Sequence, residues 1–341
     1  MVYSNVMLGA ILNIFKAARI IFHSFCGGAA GVEIIVNIDR IMKDIIDVNS
    51  ASREESLTEF FRLYASGLLD YKGLDIKFLV KEMLRNIGST NIYLREYAWS
   101  AFEQTLCELL LNHEEHIRIL NLLLGREYLF KGIGDVESDT VFCRSWTSIS
   151  IEIMVRMDTA LNYLPQERFI VVLEKTLAYM EQEADRRGWV PEKGWAHAPA
   201  HGADLLCSLI GNPKFSIKYA DKVLEAIKCH IAIPHIYGDG EYKRLANVVP
   251  ALISKGFDET VVKDWINNLT PDITKPAPKY SSYDFYKTAR RIPFNIECFL
   301  HSLCFALEEN CAGEGLRAYI VEYWPSVKQD VFNWSDGLAR N

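Results

Sequence analysis

Apolar positions recur at helical spacing along most of this chain, in windows of ten to twenty residues separated by short polar or glycine-bearing breaks. From Ser52 onward the windows fall into pairs. Glu54–Ser66 and Ile76–Ile87 make the first, with Gly67 and Gly73 between them, and Ile92–Leu111 and Glu115–Leu124 the second, turning at Asn112-His113. After a loop from Gly125 to Ser138, Thr140–Met157 and Gln166–Asp185 follow, broken near Pro165. Ala196–Ile210 and Pro213–Lys228 come next, with Gly211-Asn212 as stop and Pro213 as start. Glu241–Ser254 pairs with Glu259–Asn268, and past the proline-rich stretch Pro271–Pro278 a last pair covers Asp284–Glu309 and Leu316–Lys328. Strict alternation bounded by turn residues, the mark of a strand, is nearly absent. Antiparallel pairs repeating every forty residues or so predict an all-α fold, a HEAT-like α-solenoid (an αα-superhelix), with closure into an αα-barrel as the alternative.

The start of the chain breaks this rhythm. Met7, Ile11, Ile14, Ala18, Ile21, Phe22 and Phe25 share one helical face, while Lys16, Arg19 and His23 occupy another. No uninterrupted apolar run reaches the roughly 18 residues of a membrane span, and no charge precedes the apolar stretch as a signal peptide requires. Residues 1–41 are therefore expected to form an apolar amphipathic extension, and 42–341 a single all-helical, repeat-like domain. The readings open for the extension are membrane-surface contact through residues 5–25, docking on the body, and a start at Met42.

Composition narrows the partners. A net charge of −7, with no clustered run of Lys and Arg, argues against nucleic acid. The eight cysteines are scattered without a CxxC pair, which suits free thiols in a reducing cytoplasm. Cys298, Cys304 and Cys311 are too widely spaced for a zinc knuckle and read as core thiols.

Candidate chemistry concentrates between Tyr179 and Leu206. His197, His201, Asp204 and Ser208 lie one turn after another on a stripe beside the apolar face of their helix. His197, His201 and Asp204 are candidate ligands for a divalent metal, with Glu183 or Asp185 as a base. Ala198 stands where a zincin carries glutamate, which disfavours that reaction class. The alternative is structural: both imidazoles brace the acidic turn before them. Pro199 belongs in a first helical turn, which puts His197 at the cap. In Asp185-Arg186-Arg187-Gly188-Trp189, Gly188 reads as a helix C-cap and the arginines as complements to the dipole. The competing reading is a guanidinium fork for carboxylate or phosphate, walled by Trp189 or Trp195.

The segment E-x-D-x-RG-W ending in GWAHA-x-AHGADLL resembles a bacterial family of uncharacterised proteins, domain of unknown function 2785. Leu94-Arg95-Glu96, SDTVFCRSW (Ser138–Trp146) and GDGEYKRLA (Gly238–Ala246) resemble the same family. The likeness runs from about residue 50 to 270 and implies an all-helical, repeat-like fold without an established activity; Pro199 and the first forty residues depart from it. Within these stretches Ser138 or Asp139 reads as an N-cap, Asp139 alternatively facing a groove shared with Arg144, and Arg244 is placed to pair with Glu241 at i+3.

Equivalent helix ends of successive repeats share an edge, so Arg144, Asp185 and Glu241 are expected to converge near His197 and His201. The candidate ligand-binding set is Arg144, Glu183, Asp185, Arg186, Trp195, His197, His201, Asp204, Glu241 and Arg244. The expectation is a cytoplasmic binding or scaffold protein holding a peptide or small molecule in a polar His/Asp/Arg groove. The alternative is a metal-assisted hydrolase built on His197, His201 and Asp204.

Overall fold

The computed structural model describes residues 38–69, 74–269 and 282–324. The amphipathic stretch at residues 5–25 and the proline-rich stretch lie outside them. The described residues are mostly helical and form two compact units. One takes those up to Ile119 together with Ala160–Tyr163; the other takes Leu120–Thr159 and those from Leu164 onward. Among the described residues no helix is long and apolar enough to cross a membrane.

The first unit carries α1 (Ile38–Ile46), α2 (Arg53–Ala65), α3 (Ile76–Asn86), α4 (Ile92–Cys107) and the start of α5 (His113–Leu123). Three of these helices, α3, α4 and α5, begin where side chains satisfy the free amides of a first turn. Asp75 accepts from Lys77 and Phe78, and Asn91 from Tyr93 and Leu94. Asn112 and Glu115 exchange side-chain bonds to each other's amides, a capping box that opens α5. Helices α2 and α4 pack on each other, and Phe60 and Phe61 of the first and Ala98, Ala101, Phe102 and Leu106 of the second are fully buried. The two helices run parallel: Asn91 bonds Glu54 near their starts and Thr105 meets Tyr64 near their ends.

The second unit carries α6 (Thr140–Leu161), α7 (Gln166–Gln182), α8 (Ala198–Gly211), α9 (Ala220–Lys228), α10 (Glu241–Ser254), α11 (Glu259–Asn267), α12 (Ser282–Glu309) and α13 (314–324). Polar ties set its registers. Ser145, Glu152 and Asp158 of α6 meet His201, Ser208 and Asn212, so α6 and α8 lie parallel. Asp204 and the carbonyl of Gly211 meet Arg244 and Lys255, so α8 and α10 do the same. Antiparallel α7 packs its end on the start of α8, where Met180 Sδ would sit 2.2 Å from any Cβ at Gly202. Only glycine permits that approach.

Several predicted boundaries moved, and one element was not predicted. Pro213 does not start a helix: Asn212 accepts the Lys214 amide in a turn, and α9 begins at Ala220 after a 3₁₀ turn, Ile217–Tyr219. Helix α7 stops at Gln182, not Asp185. Trp189–Val190 (β1) and Gly194–Trp195 (β2) form a small antiparallel hairpin that alternation did not announce, pairing Trp189 with Trp195 and Val190 with Gly194. Two-residue strands are too short to show a period. Among the cysteines, Cys143 is buried, but Cys298 and Cys304 are half-buried and Cys311 exposed, so that trio is not core.

Candidate functional site

The segment from Glu183 to His197 leaves regular helix, and buried charge holds it in place. Glu183 turns extended (ψ 115°), and its carboxylate receives a two-pronged fork from Arg144, Nε to Oε2 at 2.6 Å and Nη2 to Oε1 at 2.8 Å. Both side chains are fully buried. Arg144 Nη1 donates to the carbonyls of Lys131 and Gly132 and to Thr140 Oγ1. Glu183 Oε1 also takes the Asp185 amide, and Asp185 takes the amides of Glu137 and Arg187. Arg187 clamps Asp185 through Nε and Nη2 and donates to the Ser138 carbonyl. Arg186 donates to the carbonyls of Glu183 and Cys229. An irregular buried backbone needs side-chain partners for its amides and carbonyls, and these residues supply them.

The hairpin rides on this brace. Trp146 Nε1 donates to the Trp195 carbonyl, and Trp195 meets Trp189 edge-to-face with ring centres 4.8 Å apart. Trp189 is 48% exposed. His197 follows in a left-handed conformation (φ 49°) as N-cap of α8, with Pro199 in the first turn as the sequence predicts. Its ring stacks on Trp195 at 4.4 Å. Non-glycine residues seldom adopt this backbone, which is often kept where a side chain must be aimed.

What His197 is aimed at is the turn before α10. Its Nε2 stands 3.3 Å from Glu241 Oε1 and 3.2 Å from the Asp239 carbonyl. Glu241 is buried; its Oε2 accepts the Asp239 amide, while no hydrogen bond is aligned on Oε1. Burial alone would raise the Glu241 pKa, but His197 and nearby amides outweigh it and hold the carboxyl below its usual value. Asp239 is exposed and takes the Trp189 amide through Oδ2 at 2.9 Å. That oxygen lies 2.0 Å from where a Cβ on Gly188 would stand, so Gly188 serves close approach and is not a helix C-cap.

The sequence-predicted residues thus fall into separate groups. Arg144, Glu183, Asp185 and Arg186 form the brace, and Arg144 and the Nε and Nη2 of Arg187 are engaged within the protein. His197 and Glu241 form the second group, beside Trp195. His201 gives or takes a bond with Ser145 Oγ at 2.8 Å. Arg244 pairs with Asp204, a contact between helices, in place of the expected i+3 bond to Glu241. Burial raises the Asp204 pKa and Arg244 opposes it. Asp139 pairs with Lys193 at 2.7 Å. His197 and His201 meet edge-to-face with ring centres 5.7 Å apart, but each of the expected metal ligands His197, His201 and Asp204 has another polar partner. Among the described residues, the His, Cys, Asp and Glu donors within 4.8 Å of one another are those of His197, Asp239 and Glu241. Asp239 lies outside the candidate ligand-binding set, and Trp189 enters the sequence reading only as a candidate wall beside the arginines.

Fold and site together define a predominantly helical protein with a braced, tryptophan-bearing hairpin set against a His–carboxylate cluster. The family model described as "protein of unknown function (DUF2785)" matches residues 129–305, which apart from Ala160–Tyr163 lie in the second unit, and the chain belongs to that family. Comparison with curated proteins and with solved structures returns no match.

Proposed function

We propose that the protein is a helical-repeat binding module of the solenoid kind that recognises a peptide or small molecule at the edge formed by the Trp189–Trp195 hairpin and the Gly238–Glu241 turn. The observation that carries this reading is the half-exposed indole of Trp189, backed edge-to-face by Trp195 and mounted on a loop secured by the buried Arg144–Glu183 and Asp185–Arg187 pairs. Rigid aromatic side chains give large contact area at little conformational cost, and charges buried beneath them hold the surface ready. The parallel register of α6, α8 and α10 supports the repeat assignment, since alternate helices of stacked pairs run in one direction. A peptide array and a small-molecule fragment set, read by protein-observed NMR, test it. Binders should shift signals of the hairpin and be lost in Trp189→Ala but retained in Phe305→Ala, an exposed aromatic elsewhere in the second unit. Binders that ignore Trp189→Ala would refute it.

A further inference from the structure

We infer that His197, Glu241 and Asp239 form a binding site for one divalent first-row transition ion, of which zinc is the reference. The donors come from two elements that meet only in the fold, the N-cap of α8 and the turn opening α10. An ion held at about 2.0–2.2 Å by nitrogen and oxygen places neighbouring tetrahedral donors about 3.3 Å apart. His197 Nε2 and Glu241 Oε1 are 3.3 Å apart. Glu241 Oε1 belongs to a side chain only 1% exposed, and apart from the His197 ring at 3.3 Å no donor is aligned on it. Leaving a buried carboxylate oxygen unfilled is costly, and a cation shared with the imidazole fills it.

The surroundings fix the first two donors and leave the third adjustable. His197 is held by its stack on Trp195 and by its amide bond to the Arg187 carbonyl at 3.0 Å. Glu241 is held through Oε2 by the Asp239 amide. Asp239 is exposed, with one carboxylate oxygen on the Trp189 amide, and its carbonyl lies 3.2 Å from His197 Nε2 as a further oxygen donor. One imidazole among oxygens suits zinc, manganese or nickel better than magnesium, and the exposed side leaves coordination positions for water. The site stands independently of the ligand reading above, since ion binding needs no peptide or small molecule.

The test is calorimetric titration of the chelator-treated full chain with zinc, manganese and magnesium at pH 7.5, alongside Glu241→Gln, Asp239→Asn and His201→Gln. One equivalent of zinc should bind, and magnesium should not compete. Glu241→Gln and Asp239→Asn should each weaken zinc at least about tenfold, as losses around a metal site do. His201→Gln should bind as the parent does. Asp239→Asn keeps an acceptor for the Trp189 amide at an exposed position, so it tests the site even where Glu241→Gln fails to fold. Cobalt(II) absorption distinguishes this nitrogen–oxygen site from the exposed thiols of Cys229 and Cys311. A thiolate charge-transfer band as the only signal, no zinc bound, or parental affinity in Asp239→Asn would overturn the inference; in each case His197 and Glu241 form an ion pair only.

Discussion

Replacing Arg144 with Met is the sharpest perturbation of the brace. The change removes both prongs to Glu183 and the donors to Lys131 and Gly132, all in a fully buried setting. Glu183 then keeps only the Asp185 amide and loses its countercharge. Removing one member of a buried ion pair typically costs about 3–5 kcal/mol, because a buried charge remains without compensation. Each orphaned carbonyl adds about 1–3 kcal/mol, less than additively. Arg144→Met should therefore cost about 3–5 kcal/mol, a large part of the roughly 5–15 kcal/mol typical of a domain. Urea unfolding at pH 7, followed by far-ultraviolet circular dichroism and tryptophan fluorescence, measures it. Glu183→Gln and the double variant complete a cycle, and the coupling should exceed about 2 kcal/mol. Raising salt should change that coupling little, since neither side chain meets solvent. A loss below about 1 kcal/mol with no coupling would refute the brace and return Arg144 to the pool of ligand-binding candidates.

Two further predictions concern other parts of the second unit. Burial pushes the His230 pKa down to about 3, and its Nε2 bonds the Met180 carbonyl at 2.7 Å while Nδ1 lies buried without a partner. The unfolded ring takes a proton near pH 6.5 that the folded ring refuses, so stability is unaffected above that pH and falls as pH drops from about 6.5 toward 3. Between pH 7 and 5 the parent should lose about 2 kcal/mol that His230→Gln, which keeps a donor but does not titrate, does not lose; equal losses in urea titrations would exclude the assignment. Gly188→Ala forces its Cβ to 2.0 Å from Asp239 Oδ2 and 2.7 Å from Glu241 Oε1, whereas a Cβ at Gly238 meets nothing within 4 Å. The first should destabilise by about 1–3 kcal/mol and the second hardly at all, and matching melting temperatures would contradict the hairpin–turn packing.

How much of this was legible depended on how local each cause is. Helix α10 begins at Glu241 and ends at Ser254 as the apolar spacing predicts, even with Pro250 inside it. The cap at His197 followed from Pro199 alone, since a proline's missing donor restricts it to a first turn. Contacts between residues fifty positions apart leave no such local mark. Gly188 resembles a helix stop in sequence, yet its role is set by Asp239, and Arg244 ignores a carboxylate three residues away for one on a neighbouring helix. The partners of the candidate residues carry no such mark, because 3.6-residue periodicity orders one helix face and says nothing about which helix faces it. Asp239 carries no local mark either: only the returning hairpin shows that its carboxylate caps the Trp189 amide.

The placement of charge is what ties fold to function. Arg144, Glu183 and Asp185 are buried where the chain is least regular, between the end of α7 and the hairpin. An apolar anchor there would leave the carbonyls of Lys131 and Gly132 and the amides of Glu137, Asp185 and Arg187 without partners, each a buried polar group in need of one. A helix satisfies its own backbone and can be anchored by leucine; a buried loop cannot, so its anchor must be polar. The same brace that satisfies the loop also fixes where Trp195 and His197 project. Holding His197 at φ 49° with its ring against a buried carboxylate then follows from a backbone that has nowhere else to go. Loosening the brace should therefore disturb the hairpin before the helices: Arg144→Met should shift the fluorescence of Trp189 and Trp195 at urea concentrations where helical ellipticity is still intact. Simultaneous loss of both signals would mean that the hairpin is held by its own packing and that the buried charges serve the helices instead.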